Sequence, residues 1–555
     1  MTTVAVLAGL LLAAQFAPAQ TLGEAEEQRR RARQDAAERT ERQQAPGVRL
    51  PGPETPPDAD ATDLPDEMPC FPIRRVRIDG NRPDAFPWIQ PHLDRYADRC
   101  VGRRGLDIIV KRLSARLLGE GFITTRVGIP EQNFSGGTLR LVLVPGIVRS
   151  IRIVGATADV SWESAFPMGP GDLLNLRDIE QGLEQLKRVP SQDADLDIAP
   201  GASPGESDIV VKLKRGRPWR LSTAVDDSGS KATGRRQGSI GLAVDNPFGL
   251  NDLFSLSFNN DAESEAHLHA TRGNSLSYSL PWGYWTFAVA RSTYRYHQLV
   301  KGTNQSFISS GTSASQEVSA TRTVHRDRAS KTSVQLRLTH RLSRSYVENL
   351  ELIVQRRGTA AAELGLQHRH YLGTAQVDIA VARKEGIPHF GGQGDTPDRA
   401  VGAPTNRYRL YTIDAAVSDQ FKVGSQPLRL TSALRGQATS DRLYAADQIS
   451  IGNRATVRGV DGETTLAAER GWYLRNELDV PLGASGQSIY LGLDHGDVAG
   501  PSAAAAGRRL TGAAIGFRSS AVGLSYDIFA AWAIHKPGGF PSIQPATGFR
   551  LSYQF

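Results

Sequence analysis

Long apolar runs are missing from this sequence beyond its N-terminus. Only 40% of the 555 residues are hydrophobic, and the mean hydropathy is negative, at −0.33. Because a membrane-spanning helix needs about 20 consecutive apolar residues, membrane helices are excluded. A transmembrane β-barrel stays open, since its strands alternate apolar with polar residues and need no continuous apolar run.

Residues that carry chemistry are also sparse. The net charge of +7 is modest for this length, and no segment combines clustered Lys and Arg with stacking aromatics, so no nucleic-acid partner is expected. No P-loop is present, and the G-x-S-x-G string at Gly201 to Gly205 lies between two predicted strands, so it is not the strand-to-helix turn of a hydrolase. Scattered histidines such as His340 and His495 have no serine or metal-ligand pattern around them. We therefore predict no catalytic residue, no cofactor and no metal site, with His495 on the lipid side of its strand or at the strand end.

The N-terminus predicts export. Val4 to Phe16 is apolar but too short to span a bilayer, and Ala17-Pro18-Ala19 follows as an A-x-A cleavage site. Residues 1–19 are thus interpreted as a signal peptide, although no Lys or Arg precedes the apolar run; the alternative is an internal core helix. The two cysteines, Cys70 and Cys100, are then typical of one disulfide, because a metal site would need further ligands nearby.

The next segment, residues 20–44, is almost entirely Glu, Arg, Gln and Ala. Charges of opposite sign recur at helical spacing, and such pairs stabilise an exposed helix by a few tenths of a kcal/mol each. The helix has no apolar stripe, so it cannot pack on a hydrophobic core. Either this segment is a disordered charged tail, or it is a helix in a wet, charged lumen. The predicted pairs are Glu26 with Arg30, Glu27 with Arg31 and Asp35 with Arg39.

Residues 45–70 are rich in proline and acidic residues, which predicts an extended linker without a core. After it, residues 71–147 have a β-α-α-β-β pattern, in which Leu139 to Val144 is an alternating strand. Residues 148–216 repeat the plan around a helix from Leu176 to Lys187.

From residue 217 to residue 555 the pattern is that of an antiparallel β-barrel. Large apolar residues alternate with polar and often charged ones, as in Phe254, Leu256 and Phe258. An apolar outside with a polar inside is the reverse of a soluble barrel, whose interior is filled with Leu and Val. At about 10 residues per strand, the segment accommodates about 16 transmembrane strands. We expect a tight turn at 280–284 and external loops at 301–330 and 384–406.

Two short motifs are candidates for a site inside this barrel. Val457-Arg458-Gly459 lies in a loop between alternating strands, where glycine permits a tight return with the guanidinium aimed inward. About 35 residues later, Gly492-Leu493-Asp494-His495-Gly496 forms part of a strand in which Asp494 falls on the polar face. Arg458 and Asp494 are therefore predicted to meet in the lumen; the alternatives are an ordinary surface turn and a solvated strand-end carboxylate.

Together these motifs resemble those of the two-partner secretion transporters, the TpsB family. There the arginine belongs to a loop folded back into the barrel and meets the aspartate of an inner-wall strand. Residues 245–252 resemble the family's first periplasmic turn, and residues 175–187 resemble the helix of its second POTRA domain. Val460 stands where the family usually has tyrosine, and Asn453 where a second glycine is usual.

The resemblance implies a domain order. Residues 20–44 would be a plug helix, 71–147 and 148–216 two α+β POTRA domains, and 217–555 an outer-membrane barrel. A loop around 447–465 would fold into the lumen. The residues implied in the lumen or gating motif are Val457, Arg458, Gly459, Gly492, Asp494 and Gly496.

The resemblance also implies a function, that of a pore in the outer membrane of a Gram-negative bacterium with its N-terminal domains in the periplasm. POTRA surfaces would recognise a large exoprotein, a TpsA-like adhesin or cytolysin, through its N-terminal secretion domain. Export would proceed without nucleotide hydrolysis. Outer-membrane lipid would surround the barrel, and the barrel assembly machinery would recognise a last strand that ends in the aromatic Phe555.

Two other functions are open. An insertase for other barrels usually carries more POTRA units and lacks a charged N-terminal helix with a proline-rich linker. An outer-membrane enzyme is less favoured, because no catalytic pattern is present.

Overall fold

The computed structural model describes residues 22–50, 60–155, 160–263, 268–301, 305–483, 486–503 and 507–555. The predicted signal peptide, residues 1–19, lies outside this range. Within it are four α-helices: α1 (Leu22–Gln44), α2 (Ile89–Asp94), α3 (Arg103–Gly119) and α4 (Leu176–Lys187). None of these four is long and apolar enough to cross a membrane.

The first small unit contains the predicted β-α-α-β-β order, with two additional three-residue strands, one before it and one between the helices. Its strands are β1 (Phe71–Ile73), β2 (Arg75–Gly80), β3 (Arg99–Val101), β4 (Arg126–Gly128) and β5 (Thr138–Val144). β5 lies between β2, which runs parallel to it, and β4, which runs antiparallel. The alternation of β5 buries Leu139, Leu141 and Leu143 in one core with α2 and α3. Cys70 and Cys100 are joined by a disulfide beside the pairing of β1 with β3.

The second unit is built on β6 (Ile147–Val154), β7 (Gln192–Pro200) and β8 (Glu206–Arg215), with β8 in the middle. Its helix α4 begins after Asn175, whose side chain accepts a hydrogen bond from the backbone N–H of Arg177 (2.8 Å). Such a side-chain cap satisfies one of the unpaired donors at a helix start. Ile179 and Leu183 of α4 are buried in the core of this unit.

Sixteen long antiparallel strands of the described residues close into a barrel, as predicted. A two-residue strand, β16 (Leu350–Glu351), pairs antiparallel with the end of β15 (Ser330–Val347). The last strand, β27 (Ala546–Gln554), pairs with the first, β9 (Trp219–Asp226), through five residue pairs and completes the ring. The barrel strands are β9 (Trp219–Asp226), β10 (Gln237–Asp245), β11 (Leu253–Asp261), β12 (His269–Trp282), β13 (Trp285–Lys301), β14 (Ser306–Arg326), β15 (Ser330–Val347), β16 (Leu350–Glu351), β17 (Arg357–Leu372), β18 (Ala375–Ile387), β19 (Arg409–Val423), β20 (Gln426–Ala438), β23 (Arg470–Pro481), β24 (Gln487–Ala499), β25 (Arg509–Ala521), β26 (Leu524–His535) and β27 (Ala546–Gln554).

The outer face of the barrel is apolar, and its inner face is polar. Phe258, Leu336 and Leu338 are exposed on the outside. In β24, Leu491 and Leu493 are half-exposed on the outside. Asp494, the residue after Leu493, is fully buried on the inside. The predicted alternation is confirmed.

One predicted loop is wrong. Residues 301–330 contain mostly β14, a 21-residue strand, and not an external loop. Its many Ser, Ala and Thr residues suggested a loop, but some of these small side chains face a helix that runs through the lumen. Ser313, for example, lies 3.3 Å from the carboxylate of Glu27 in α1. The loop predicted at 384–406 begins only after β18 has ended at Ile387.

The second small unit lies at one end of the barrel. Its residues contact three turns of the wall: the turn between β10 and β11, the turn between β12 and β13, and the turn between β14 and β15. The expected turn at 280–284 is thus confirmed, since β12 ends at Trp282 and β13 begins at Trp285. We refer to this end as the inner end.

Candidate functional site

The lumen contains a loop folded back from the wall, residues 439–469 between β20 and β23, which we term the inner loop. It carries a small hairpin of β21 (Ile449–Ile451) and β22 (Leu466–Ala468). Its apolar side chains pack on the wall in a cluster that includes Val457 and Val460. A valine at position 460 therefore fits an apolar contact here, although the resembled family usually has tyrosine.

Arg458 of the inner loop is bound to Asp494 of β24. The guanidinium donates through Nε (2.7 Å) and one terminal nitrogen (2.9 Å) to the two carboxylate oxygens, and the backbone N–H of Arg458 donates to the same carboxylate (3.0 Å). Arg458 is 4% exposed and Asp494 is 0% exposed. The structure thus brings the two predicted partners together as a buried ion pair. Removing one partner of such a pair lowers the free energy of unfolding more than it would at the surface.

Other wall residues hold the rest of the guanidinium. Its second terminal nitrogen donates to Glu477 of β23 (2.7 Å), which also accepts from Arg518 of β25 (2.6 Å). Arg518 lies 4.0 Å above the ring of Tyr490. The guanidinium of Arg458 is therefore bonded to two neighbouring strands, β23 and β24, and β25 contributes through the contact of Arg518 with Glu477.

Glycines of the wall and loop make room for this contact. A Cβ at Gly492 would lie 2.4 Å from a terminal nitrogen of Arg458, and a Cβ at Gly512 would lie 1.7 Å from its carbonyl oxygen. Gly459 has a φ of +111°, a conformation that other residues rarely adopt. At Gly496 the nearest atom would be the Cβ of Tyr473, at 3.0 Å. The predicted Gly459, Gly492 and Gly496 are all close-approach positions.

Helix α1 runs through the remaining lumen. Its 23 residues are about 34 Å long at 1.5 Å per residue, comparable to the hydrocarbon thickness of a bilayer, about 30 Å. Near its start, Glu26 accepts a hydrogen bond from Tyr294 of β13 (2.7 Å). Near its end, Arg369 of β17 donates to the carbonyl oxygen of Arg42 (2.7 Å). The helix thus passes through the barrel to the inner end.

The contact between α1 and the inner loop is ionic. Arg31 donates to Asp447 (3.0 Å), and Lys384 of the wall lies 3.5 Å from the same carboxylate. Arg29 donates to the carbonyl oxygen of Glu463 (2.8 Å). Two cavities of about 650 and 430 Å³, lined largely by polar and charged residues, remain beside the helix. Such charged contacts hold the helix in place without a hydrophobic seal.

The pairs within α1 differ from those predicted. Glu27 does pair with Arg31 (3.2 Å), but Glu26 pairs with Arg29 and Arg33, and Arg30 with Glu27. Arg39 lies 3.7 Å from Asp414 of the wall. The wall supplies partners that a solvent-exposed helix would not have, and these redirect the side chains.

At the inner end, α4 of the second unit is fastened to the barrel. Arg326 donates to Glu184 (2.6 Å) and to Gln181 (2.7 Å), and Lys331 is hydrogen-bonded to Glu184 as well. Burial alone would raise the pKa of Glu184, but Lys331 and Arg326 bring it below its ordinary value, so this carboxylate is ionised at neutral pH. The polar face of α4 is therefore covered by the barrel, not exposed to solvent.

Several residues of the site were missed from the sequence. Glu477 shares its face of β23 with Arg475 and Asp479, so the charge alternation could have placed it inside the barrel. Gly512 and Tyr294 carried no such signal, because their partners depend on the register of distant strands.

His495 shares a hydrogen bond with the hydroxyl of Thr511 (2.7 Å) and packs against Trp472, on the outward face as the alternation of the strand predicts. In the described part of the chain, no group of three or more His, Cys, Asp or Glu is placed to hold a metal.

Comparison with known proteins identifies this arrangement. The profile described as "Haemolysin secretion/activation protein ShlB/FhaC/HecB" matches residues 205–519, a "POTRA domain, ShlB-type" profile matches 71–146, and a further POTRA profile matches 147–200. The chain belongs to the ShlB/FhaC/HecB family. The two small units correspond to POTRA domains, and the resemblance to two-partner secretion transporters is confirmed.

Individual relatives agree over nearly the whole chain. "Outer membrane transporter CdiB-2" of Burkholderia pseudomallei (strain 1026b) is 42% identical over 545 residues, which cover 94% of this chain and 92% of that protein. "Hemolysin transporter protein ShlB" of Serratia marcescens is 28% identical, covering 78% and 77%. The solved structure of CdiB from Acinetobacter baumannii aligns with a TM-score of 0.84 at 27% identity, covering 96% of this chain and 99% of that one.

The general function follows from family and fold together. This ShlB/FhaC/HecB family member is an outer-membrane transporter of the two-partner secretion class, with its barrel in the outer membrane and its POTRA domains on the periplasmic side. The inner end is accordingly periplasmic.

Proposed function

We propose that this transporter carries one large secreted exoprotein from the periplasm to the cell surface through the barrel lumen, without nucleotide hydrolysis. The observation that carries the proposal is a closed barrel whose lumen is occupied by α1 and by the inner loop. Helix α1 is held by ion pairs and hydrogen bonds and belongs to no hydrophobic cluster of the described residues, whereas the inner loop also packs on the wall through apolar side chains.

In this proposal the two pieces have different roles. Helix α1 is the plug, which leaves the lumen during export. The pair of Arg458 with Asp494 keeps the inner loop in one position on the wall, because a buried bidentate pair is costly to break. Val457, Gly459, Gly492 and Gly496 shape that contact.

The POTRA domains are proposed to recognise the exoprotein through its N-terminal secretion domain. Support comes from the sheet of the first domain, in which the described strand β2 pairs with β5 on one side only. Such an edge can add a strand of a passing chain through backbone hydrogen bonds, which bind without demanding a particular sequence. The barrel itself would be inserted into lipid by the barrel assembly machinery.

The proposal predicts that a gene beside that of this transporter encodes a very large exoprotein, and the experiment is export of that exoprotein. Full-length protein should bring it to the cell surface, whereas deletion of residues 71–147 should abolish export and leave a heat-modifiable barrel in the membrane. Normal export by the deleted protein would refute recognition by the first POTRA domain.

An insertase remains the second candidate and is tested in the same cells. If the chain inserted other barrels, its loss would lower the amounts of other outer-membrane barrels. We expect their amounts to stay unchanged, with only the exoprotein missing from the surface.

A further inference from the structure

The segment that follows α1 lies in a cleft on the second POTRA domain. Residues 46–50 were predicted as part of a linker without a core, yet Val48 and Leu50 pack against the core of that domain. Between them, Arg49 points away and lies over the ring of Tyr371, 4.0 Å from its centre. The segment therefore binds as an extended strand does, with alternate side chains turned toward the domain. We term the surface beneath it the α4 cleft.

Backbone groups of this segment are bound by carboxylates of α4. The N–H of Leu50 donates to Glu180 (2.8 Å), and the N–H of Val48 donates to Glu184 (3.4 Å). The carbonyl oxygen of Val48 accepts a hydrogen bond from Arg326 (3.0 Å). Glu180 and Glu184 are one helical turn apart, so they meet alternate N–H groups of an extended chain. The cleft thus binds backbone N–H groups and apolar side chains at alternate positions. Many extended segments present both.

The same residues join three parts of the molecule. Arg326, at the turn between β14 and β15, binds Glu184 of α4 as well as the segment. Helix α1 ends at Gln44, only four residues before Val48. Four residues span at most about 14 Å, less than half the length of α1. The helix cannot withdraw fully from the lumen toward the periplasm while Val48 and Leu50 stay in the cleft.

We propose that the α4 cleft is a binding site for an extended apolar segment, that residues 48–50 occupy it at rest, and that a segment of the exported chain displaces them. Displacement frees the inner end of α1, so binding of the exported chain and unplugging of the lumen become one event. The occupant that arrives is an extended stretch with apolar residues two positions apart. The last step rests on the proposed function; the occupied cleft and its hold on α1 do not.

The test uses the full-length protein in planar lipid bilayers, without any exported chain. The double variant Val48→Asp with Leu50→Asp places two carboxylates against Glu180 and Glu184. We expect the time spent in the high-conductance state to rise roughly tenfold, which equals about 1.4 kcal/mol. Ile129→Asp is the matched control, because Ile129 is an exposed apolar residue of the first POTRA domain and lies outside the cleft. This control should behave as the unchanged protein does.

A second arm works on the unchanged protein, so it does not depend on the folding of a variant. A synthetic peptide spanning residues 44–52 is added in excess on the periplasmic side. It should raise the high-conductance time, whereas the same peptide with both apolar residues replaced by Asp should have no effect. No response to either the peptide or the double variant would overturn the proposal.

The outcomes separate the two proposals. A conductance response together with failure to export the neighbouring exoprotein would refute the proposed function and leave the cleft as a latch for α1. Normal export together with a silent conductance assay would refute the latch and leave the proposed function. If peptide opens the channel but Ile129→Asp opens it equally, the effect is not specific to the cleft, and the proposal falls.

Discussion

Replacement of Arg458 by alanine should destabilise the inner loop strongly. The change leaves Asp494 fully buried, with the backbone N–H of residue 458 as its remaining donor from the loop. Removing one partner of a buried ion pair typically costs about 3–5 kcal/mol. We expect a loss in this range in the free energy of unfolding, measured by urea titration of the purified barrel in detergent micelles, and impaired export from cells.

The partner variant should be milder, and this asymmetry comes from the structure. In Asp494→Ala, the arginine keeps its contact with Glu477 at 2.7 Å, so no buried charge is stranded. A double-mutant cycle isolates the pair itself. Coupling within about 0.5 kcal/mol of zero would mean that the two side chains act independently, and the reasoning would be wrong.

A pair with an exposed arginine, in the same barrel, is the control for this cycle. Arg509 lies 2.7 Å from Asp497 in the neighbouring strands, but its side chain is 65% exposed. Exposed ion pairs contribute about 0–1 kcal/mol, so Arg509→Ala should change the free energy of unfolding little. Exchange of the two charges, Arg458→Asp with Asp494→Arg, is not expected to restore export, since the planar guanidinium must approach from the loop.

Three further predictions concern the packing, the plug and the disulfide. Gly512→Ala should displace the inner loop, because the added Cβ would meet the carbonyl oxygen of Arg458 at 1.7 Å; the result is lower heat stability of the barrel on gels. Deletion of residues 22–44 should raise single-channel conductance in planar bilayers, since α1 occupies the lumen. Replacement of Cys70 and Cys100 by serine should lower the stability of the first POTRA domain by about 3–4 kcal/mol on the chain-entropy account, measured by proteolysis in urea.

Each of these has its own control or contrary outcome. Gly538→Ala adds a methyl group where no atom lies within 4 Å, so its barrel should melt as the unchanged one does. Unchanged conductance after deletion of α1 would mean that the helix does not limit the pore. Equal resistance to proteolysis with and without the disulfide would show that the bond adds nothing to that domain.

The wall and the small units were largely predictable from sequence, for physical reasons. Alternation of apolar and polar residues encodes which face of a strand meets lipid, and α4 has the bounds predicted from its pattern, Leu176 to Lys187. The pairing of Arg458 with Asp494 followed from motifs whose residue types suit a buried ion pair. Strand alternation and helix periodicity are local patterns, and the ion pair was suggested by two short motifs.

What could not be predicted depends on long-range register and on the space left by other elements. The contact of Glu26 with Tyr294 joins residues 268 positions apart, and no local pattern records it. β14 resembled a loop because small residues face α1. Val48 and Leu50 lie in a proline-rich segment without periodicity. Their packing on the second POTRA domain could not be predicted, because it depends on the surface of that folded domain.

A cross-link between α1 and the wall tests the central claim most directly. The hydroxyl oxygen of Ser313 lies 3.3 Å from the carboxylate of Glu27, and among the described residues both native cysteines are in the disulfide, so Glu27→Cys with Ser313→Cys can be joined by a thiol-specific cross-linker. The joined protein should stay in the low-conductance state and export no exoprotein, whereas each single-cysteine variant treated alike should export normally. Normal export by the joined protein would show that α1 need not leave its place, and the account of a plugged lumen as the export route would be wrong.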